Sequence, residues 1–268
     1  STQAKTLFPY TTLFRSGRKA SSHRPWQGGE LIAPGEGGWT TFAPSAIPHK
    51  EGELAPKELS KQQIKDLIQA FVVSARRARD LGLDVIEVHA AHGYLLHQFL
   101  SPITNHRTDA YGGSLEGRAK LLIDIVKAIR AEIGEIPPVL VRLSATDYRE
   151  DGWNTAENAI VSKWAEEAGA DLLDISSGGL ITGVRIPTGP GYQVAFSETV
   201  ADAVTVLVSA VGQITEAAQA EEILQGQKVE VIMIGRAGLR DPYWPLRAAH
   251  ELGVEIDYWP INYARGKW

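Results

Sequence analysis

The densest group of residues able to do chemistry is His89-Ala-Ala-His92-Gly93-Tyr94, two imidazoles and a phenol within six positions. N–H donors that converge on a carbonyl or nitro oxygen stabilise the charge that builds there when hydride adds to a conjugated carbon, and a nearby phenol can supply the proton. The spacing admits two other readings. H-x-x-H can ligate a metal, with His97 or His106 completing the set, or the two histidines can simply serve a turn. A second candidate is Arg142, alone in the otherwise apolar run Pro138 to Ser144 (PVLVRLS). A buried guanidinium needs an anionic or polar partner, which here is either a ligand or an internal salt bridge to Asp147 or Glu87. A third group comprises Ser176, Ser177, Gly178, Gly212, Gly235 and Arg236. Each glycine alone can be explained by a turn, but hydroxyls, open backbone N–H groups and one guanidinium together make a phosphate-sized anion site.

These groups can converge only if the chain brings several strand ends together. Three segments share one pattern, a helical run that closes near Gly followed by an apolar run ending in a small or polar residue: Gly82 to His89, Gly169 to Ser176 and Gly226 to Gly235. Each reads as a helix end feeding a buried strand whose last position opens on a loop. Pro138 to Ser144 and Val204 to Val211 have the same length and β-branched bias. Amphipathic helix patterns lie between them, at Ser60 to Leu81, Leu115 to Ile133, Thr155 to Ala168, Thr215 to Leu224 and Asp241 to Leu252. Ser60 with Gln63 predicts a capping box at the start of the first. Alternating strands and helices of this size predict an α/β fold with a parallel sheet. Residues 17–59, rich in Gly, Pro and Trp, show no comparable strand and read as a long loop overhanging a site. Five strand signals fit either five strands of an eight-stranded barrel or an open, doubly wound sheet.

Composition narrows the partners. The 268 residues are 44% hydrophobic, enough for one large core, and carry a net charge of −5 with both signs interleaved. That distribution argues against nucleic acid or an anionic membrane as the main partner and favours a small molecule. There is no Cys, so thiolate metal sites and disulfides are excluded and a cytoplasmic location is expected. No apolar run approaches membrane-spanning length, and the start of the chain lacks a signal-peptide pattern. No G-x-G-x-x-G follows a strand, which excludes a nicotinamide-binding Rossmann domain.

The run from His89 through Leu100, continued by Ser101-Pro102-Ile103-Thr104-Asn105-His106-Arg107-Thr108-Asp109-Ala110-Tyr111-Gly112-Gly113-Ser114, resembles the signature of the old yellow enzymes, and more narrowly their bacterial xenobiotic-reductase-like subclass. The likeness continues through Val141 to Tyr148, Asp174 to Gly178, Pro190 to Gln193, Ile234 to Arg236, Arg240 to Pro242 and Tyr263 to Trp268. It implies a TIM (β/α)8 barrel and an FMN-dependent, NADPH- or NADH-consuming reductase of activated alkenes working by ping-pong hydride transfer. By the same likeness His89 and His92 anchor the substrate oxygen, Tyr94 donates the proton or positions the substrate, and Arg142 sits at the N1/O2 edge of the flavin. Ser176, Ser177, Gly178, Gly212, Gly235 and Arg236 hold the cofactor and its phosphate. Arg265 reaches a neighbouring subunit's site in a homodimer or homotetramer, with Trp268 at the interface. Family members carry about three βα units before the point at which Gly17-Arg18-Lys19 begins to match, so strands four to eight are expected here and the barrel is expected to be incomplete. Residues 1–16 resemble the translation of a common DNA-sequencing adapter and are expected to be poorly ordered, leaving 17–268 as a partial FMN-binding barrel. An inactive remnant of the family and a His-ligated hydrolase or lyase are the alternatives.

Overall fold

The computed structural model describes residues 16–267, so the expectations for residues 1–15 and for Trp268 lie outside the described residues. A short parallel pair, β1 (Phe42–Ala43) and β2 (Lys57–Glu58), precedes the main sheet. It falls inside the segment read as strandless, because two-residue strands carry no periodicity to detect. The main sheet comprises β3 (Ile86–Ala90), β4 (Val139–Ser144), β5 (Leu172–Ser176), β6 (Leu207–Ala210) and β7 (Val231–Ile232). All are parallel and hydrogen-bonded in the sequential order β3-β4-β5-β6-β7. A doubly wound sheet reverses its strand order part-way across. This one does not, and the five strands are the successive staves of a (β/α)-barrel wall.

Five of the helices stand where the 3.6-residue pattern puts them, whereas those over Leu95–Leu100, Val194–Ala201 and Arg236–Arg240 lie outside every predicted pattern. In chain order they are α1 (Lys61–Asp80), α2 (Leu95–Leu100), α3 (Leu115–Ile133), α4 (Thr155–Glu167), α5 (Val194–Ala201), α6 (Ala217–Gln225), α7 (Arg236–Arg240) and α8 (Trp244–Glu251). The predicted capping box is formed: Ser60 Oγ accepts from Gln63 N at 3.2 Å, and Ser60 N donates to Gln63 Oε1 at 2.9 Å. Ile64, Leu67, Ala75 and Ala78 bury one face of α1, and Arg76 of α1 pairs with Glu132 of α3 at 2.6 Å. The helix expected over 241–252 begins instead at Trp244, since Pro242 blocks the preceding turn while Pro245 is tolerated in the first one.

Side chains alternate across each strand. Along β4, Val139, Val141 and Leu143 are fully buried towards the helical layer, whereas Leu140 and Arg142 are half-buried on the other face. Register then aligns His89 with Arg142, Arg142 with Asp174, and Asp174 with Ser209, one rung across four strands. Trp153 locks the loop after β4, with its ring fully buried and Nε1 donating to Ser144 O at 2.7 Å. No helix among the described residues is long and apolar enough to cross a membrane.

Candidate active site

Every predicted site residue except Arg265 lies on β3 to β7 or in the segment that follows one of their carboxyl ends, the face at which parallel α/β barrels assemble their chemistry. His89 ends the interior-facing row of β3, and His92, Gly93 and Tyr94 form the turn into α2. His92 adopts φ +56, and its backbone N–H is held by Ser144 Oγ at 2.9 Å. Gly93 (φ +72) passes so close to the loop after β5 that a Cβ would stand 2.2 Å from Gly179 O, so only glycine fits. The three rings lie together: the His89 and His92 centroids are 5.2 Å apart, and those of His89 and Tyr94 are 5.5 Å apart.

A residue the sequence reading passed over completes this cluster. Lys19 Nζ donates to His92 O at 2.8 Å and to Gly179 O at 3.0 Å, and sits 4.7 Å from the centroid of the Tyr94 ring. Burial, and then the charge of Arg18, pushes its ammonium down to about 8. Arg18 is itself buried and donates to Pro48 O and Leu180 O, pinning the long loop over the ends of the strands. The only sequence signal for either residue was the Gly17-Arg18-Lys19 match, because a loop has no periodicity to show which side chain turns inward.

His97, offered by spacing as a third metal ligand, is committed elsewhere. Its Nδ1 accepts from Gly93 N at 2.9 Å, and its Nε2 faces Asp147 Oδ1 at 3.1 Å, with both side chains fully buried. Asp147 also accepts from Ser101 Oγ at 2.6 Å and Trp153 N at 2.9 Å. Burial alone would raise its carboxyl, but the contacts with His97, Ser101 and Trp153 outweigh burial and hold it below the usual range. No group of three His, Asp or Glu among the described residues is placed to hold a metal ion.

Arg142 pairs with Asp174, Nε to Oδ2 at 3.2 Å, rather than with Asp147 or Glu87. Asp174 is fully buried and its Oδ1 accepts from Ser209 Oγ at 2.7 Å, so the carboxylate is anchored on one side and faces the guanidinium on the other. Beyond β5 to β7 opens a cleft of about 500 Å³, whose lining includes Ser176, Gly212, Gly235 and Arg236 from the predicted set. Gln193, Gln213, Thr215 and Arg240 line it as well, and none of these was predicted. A Cβ on Gly235 would meet nothing within 4 Å, which leaves its backbone open to a ligand. Two guanidiniums, an open glycine backbone and hydroxyl and amide donors suit a phosphate ester. Ser177 and Gly178 do not line the cleft. Ser177 bonds to Tyr148 and Gln193, while Gly178 bonds to Thr146 O and Ser144 Oγ. Arg265 is exposed in the 3-10 segment Ile261–Gly266.

The profile of the NADH:flavin oxidoreductase / NADH oxidase family matches residues 13–255. The chain belongs to that family. Within it, the chain is 47% identical over 216 residues to an NADPH dehydrogenase of Bacillus pumilus, covering 81% of this chain and 63% of the relative. It is 44% identical over 249 residues to an NADPH dehydrogenase of Listeria monocytogenes, covering 93% and 71%. It thus spans about two thirds of the length of these curated relatives. Among solved structures it resembles a 2-naphthoyl-CoA reductase bound to 2-naphthoyl-CoA, with a TM-score of 0.73 and 31% identity over 84% of this chain and 34% of that one. It also resembles a morphinone reductase, with a TM-score of 0.65 and 25% identity over 84% and 62%. An old yellow enzyme homologue from Zymomonas mobilis, 23% identical with a TM-score of 0.65 over 85% of this chain and 67% of that one, shares the fold.

Proposed function

We propose that this chain is an FMN-dependent NAD(P)H oxidoreductase whose substrates are small activated alkenes such as enones and enals, with nitro compounds as further candidates. The observation that carries the reading is the placement of the His89–His92–Tyr94 cluster and Arg142 on adjoining strand ends, beside a cleft furnished for a phosphate. Gly212, Gly235, Arg236 and Arg240 would hold the cofactor phosphate, and Arg142 would face the ring. Bound FMN supplies the hydride that it has accepted from a nicotinamide. The chain's own residues do the rest. His89 and His92 take the substrate oxygen between their rings and stabilise its developing charge, and the Tyr94 hydroxyl stands ready to pass its proton to the adjacent carbon. Lys19 holds the His92 carbonyl and covers the Tyr94 ring, which fixes the geometry of both. Arg142 contributes positive charge, tempered by Asp174.

The test is the visible spectrum of the purified chain after incubation with FMN and desalting, followed by anaerobic NADPH. A retained flavin band that bleaches with NADPH and recovers with an enone is expected, whereas a colourless eluate would reject the reading. In the loaded protein, His89→Ala and His92→Ala are expected to slow the alkene half-reaction by about 10²-fold, as for loss of one oxyanion donor. Bleaching by NADPH should stay close to wild type. Unchanged alkene turnover in both variants would remove their assigned role.

A further inference from the structure

Five side chains form one hydrogen-bonded relay across the strand ends, and one amide sets its direction. Gln193 is buried, and its Nε2 donates to Val211 O at 3.2 Å. A backbone carbonyl can only accept, so the opposite atom of the amide is its oxygen. That oxygen accepts from Ser177 Oγ at 2.5 Å and from Ser176 Oγ at 3.2 Å. Both serine protons are therefore spent on Gln193, and each serine oxygen has lone pairs left for a further partner. Ser177 accepts from the Tyr148 hydroxyl at 2.8 Å. Ser176 Oγ lies 2.7 Å from His92 Nε2, and with its own proton already committed it can only accept there, so the shared proton belongs to His92.

We infer that Gln193 is a positioning residue that holds His92 in its Nε2–H tautomer through Ser176. The inference rests on the proposed function for its purpose, though not for its geometry. Ser176 Oγ accepts the Nε2–H at 2.7 Å, and a substrate oxygen, which can likewise only accept, takes that N–H over by displacing or sharing the serine contact. Were Ser176 to donate into Nε2, the ring would meet the substrate with a lone pair and repel it. Gln193 removes that alternative by taking the serine proton for itself. A neutral imidazole has one proton to place, and His92 is held neutral by burial first and by the nearby cationic Arg142 and Lys19.

Gln193 also lines the cleft, so a change there would weaken cofactor binding, and turnover alone would not isolate its effect on His92. The tautomer itself is measurable. Long-range ¹H–¹⁵N spectra of the full chain labelled at histidine nitrogens, with the His92 signals assigned by their loss in His92→Asn, distinguish Nε2–H from Nδ1–H rings. The wild type is expected to show the Nε2–H pattern for His92 with and without FMN. Gln193→Met and Ser176→Ala should each replace it with averaged or Nδ1–H shifts. Tyr148→Phe, which removes only the far end of the relay, should keep it. An Nδ1–H wild type, or Nε2–H retained in both Gln193→Met and Ser176→Ala, would overturn the inference. Ser176→Ala leaves Gln193 in place and serves if Gln193→Met does not fold. Failure of the chain to take up FMN bears on the proposed function and leaves the tautomer readout intact.

Discussion

At the scale of single residues, the site is built from groups whose charge the fold suppresses. Burial first, then the charges of His89 and Arg142, pushes the His92 imidazole from 6.5 down to about 3. His49 falls to about 4 through burial and the neighbouring Lys19, Arg18 and Lys50. Between those values and 6.5 the unfolded chain binds more protons than the folded one, so stability rises with pH through this window and is lost as pH falls. Glu87, pushed up to about 7 by burial and then by Asp174, works the opposite way as pH rises from 4.5, so the two histidines together are expected to outweigh it and the melting temperature to climb modestly between pH 4.5 and pH 6.5. His92→Asn removes one of the two histidine titrations and should flatten that climb by about 3 °C, on the scale of roughly 1 kcal/mol for a domain of this size. A climb of equal steepness in the variant would mean that His92 does not lose its charge on folding. His89, His92, Tyr94 and Arg142 were legible in the sequence because polar groups stand out at the end of, or inside, an apolar strand. Lys19 and Gln193 were not assigned, since each reaches the cluster only through contacts with segments more than fifteen positions away.

At the scale of elements, α2 shows what the sequence left hidden. Its six residues, Leu95 to Leu100, are all buried, so they present no polar face and no period. What fixes the turn preceding it is the His97–Asp147 contact: Gly93 N–H occupies His97 Nδ1, and Asp147 takes Ser101 Oγ–H and Trp153 N–H. Asp147→Ala would strand these donors in a dry interior and is expected to cost about 3 kcal/mol, measured as a lower urea midpoint. Ser60→Ala removes only the cap of α1 and is expected to cost about 1 kcal/mol, so a similar loss in both would contradict the central place given to Asp147. The strands were easier to read. A parallel strand covered on both faces is a short, nearly continuous apolar run, and each of the five expected runs carries one, β3 extending one residue past its run to Ala90. β7 shrinks to Val231–Ile232 within its run because only Ser209 and Ala210 of β6 pair with it. The helix over Leu115 to Ile133 was found to the residue because Ser114 and Gly134 mark its ends.

At the scale of the whole molecule, the described sheet has two edges, β3 and β7, and the last thirty described residues expose large apolar side chains, among them Leu239, Tyr243, Tyr258, Tyr263 and Ile261, the last 92% exposed. Apolar side chains crowded into one exposed segment suit a contact with another copy of the chain, and Arg265 lies in the same segment. If Arg265 serves a neighbour's site, as the family resemblance implies, two defective chains must be able to repair each other. Arg265→Ala keeps its own His89 but deprives its partner, while His89→Ala keeps Arg265 but has no working site of its own. In a mixed dimer, the site on the Arg265→Ala chain receives its arginine from the other chain and is whole. Differently tagged chains, co-expressed and purified through both tags, are therefore expected to recover about half the alkene turnover of the wild-type dimer, one intact site of two, where each variant alone shows little. Ile261→Asp, placed in the exposed segment, is expected to abolish the repair and to lower the mass found by sedimentation. A mixed species no more active than the Arg265→Ala chain alone would assign Arg265 to its own subunit, and an active Ile261→Asp monomer would show that the site needs no neighbour.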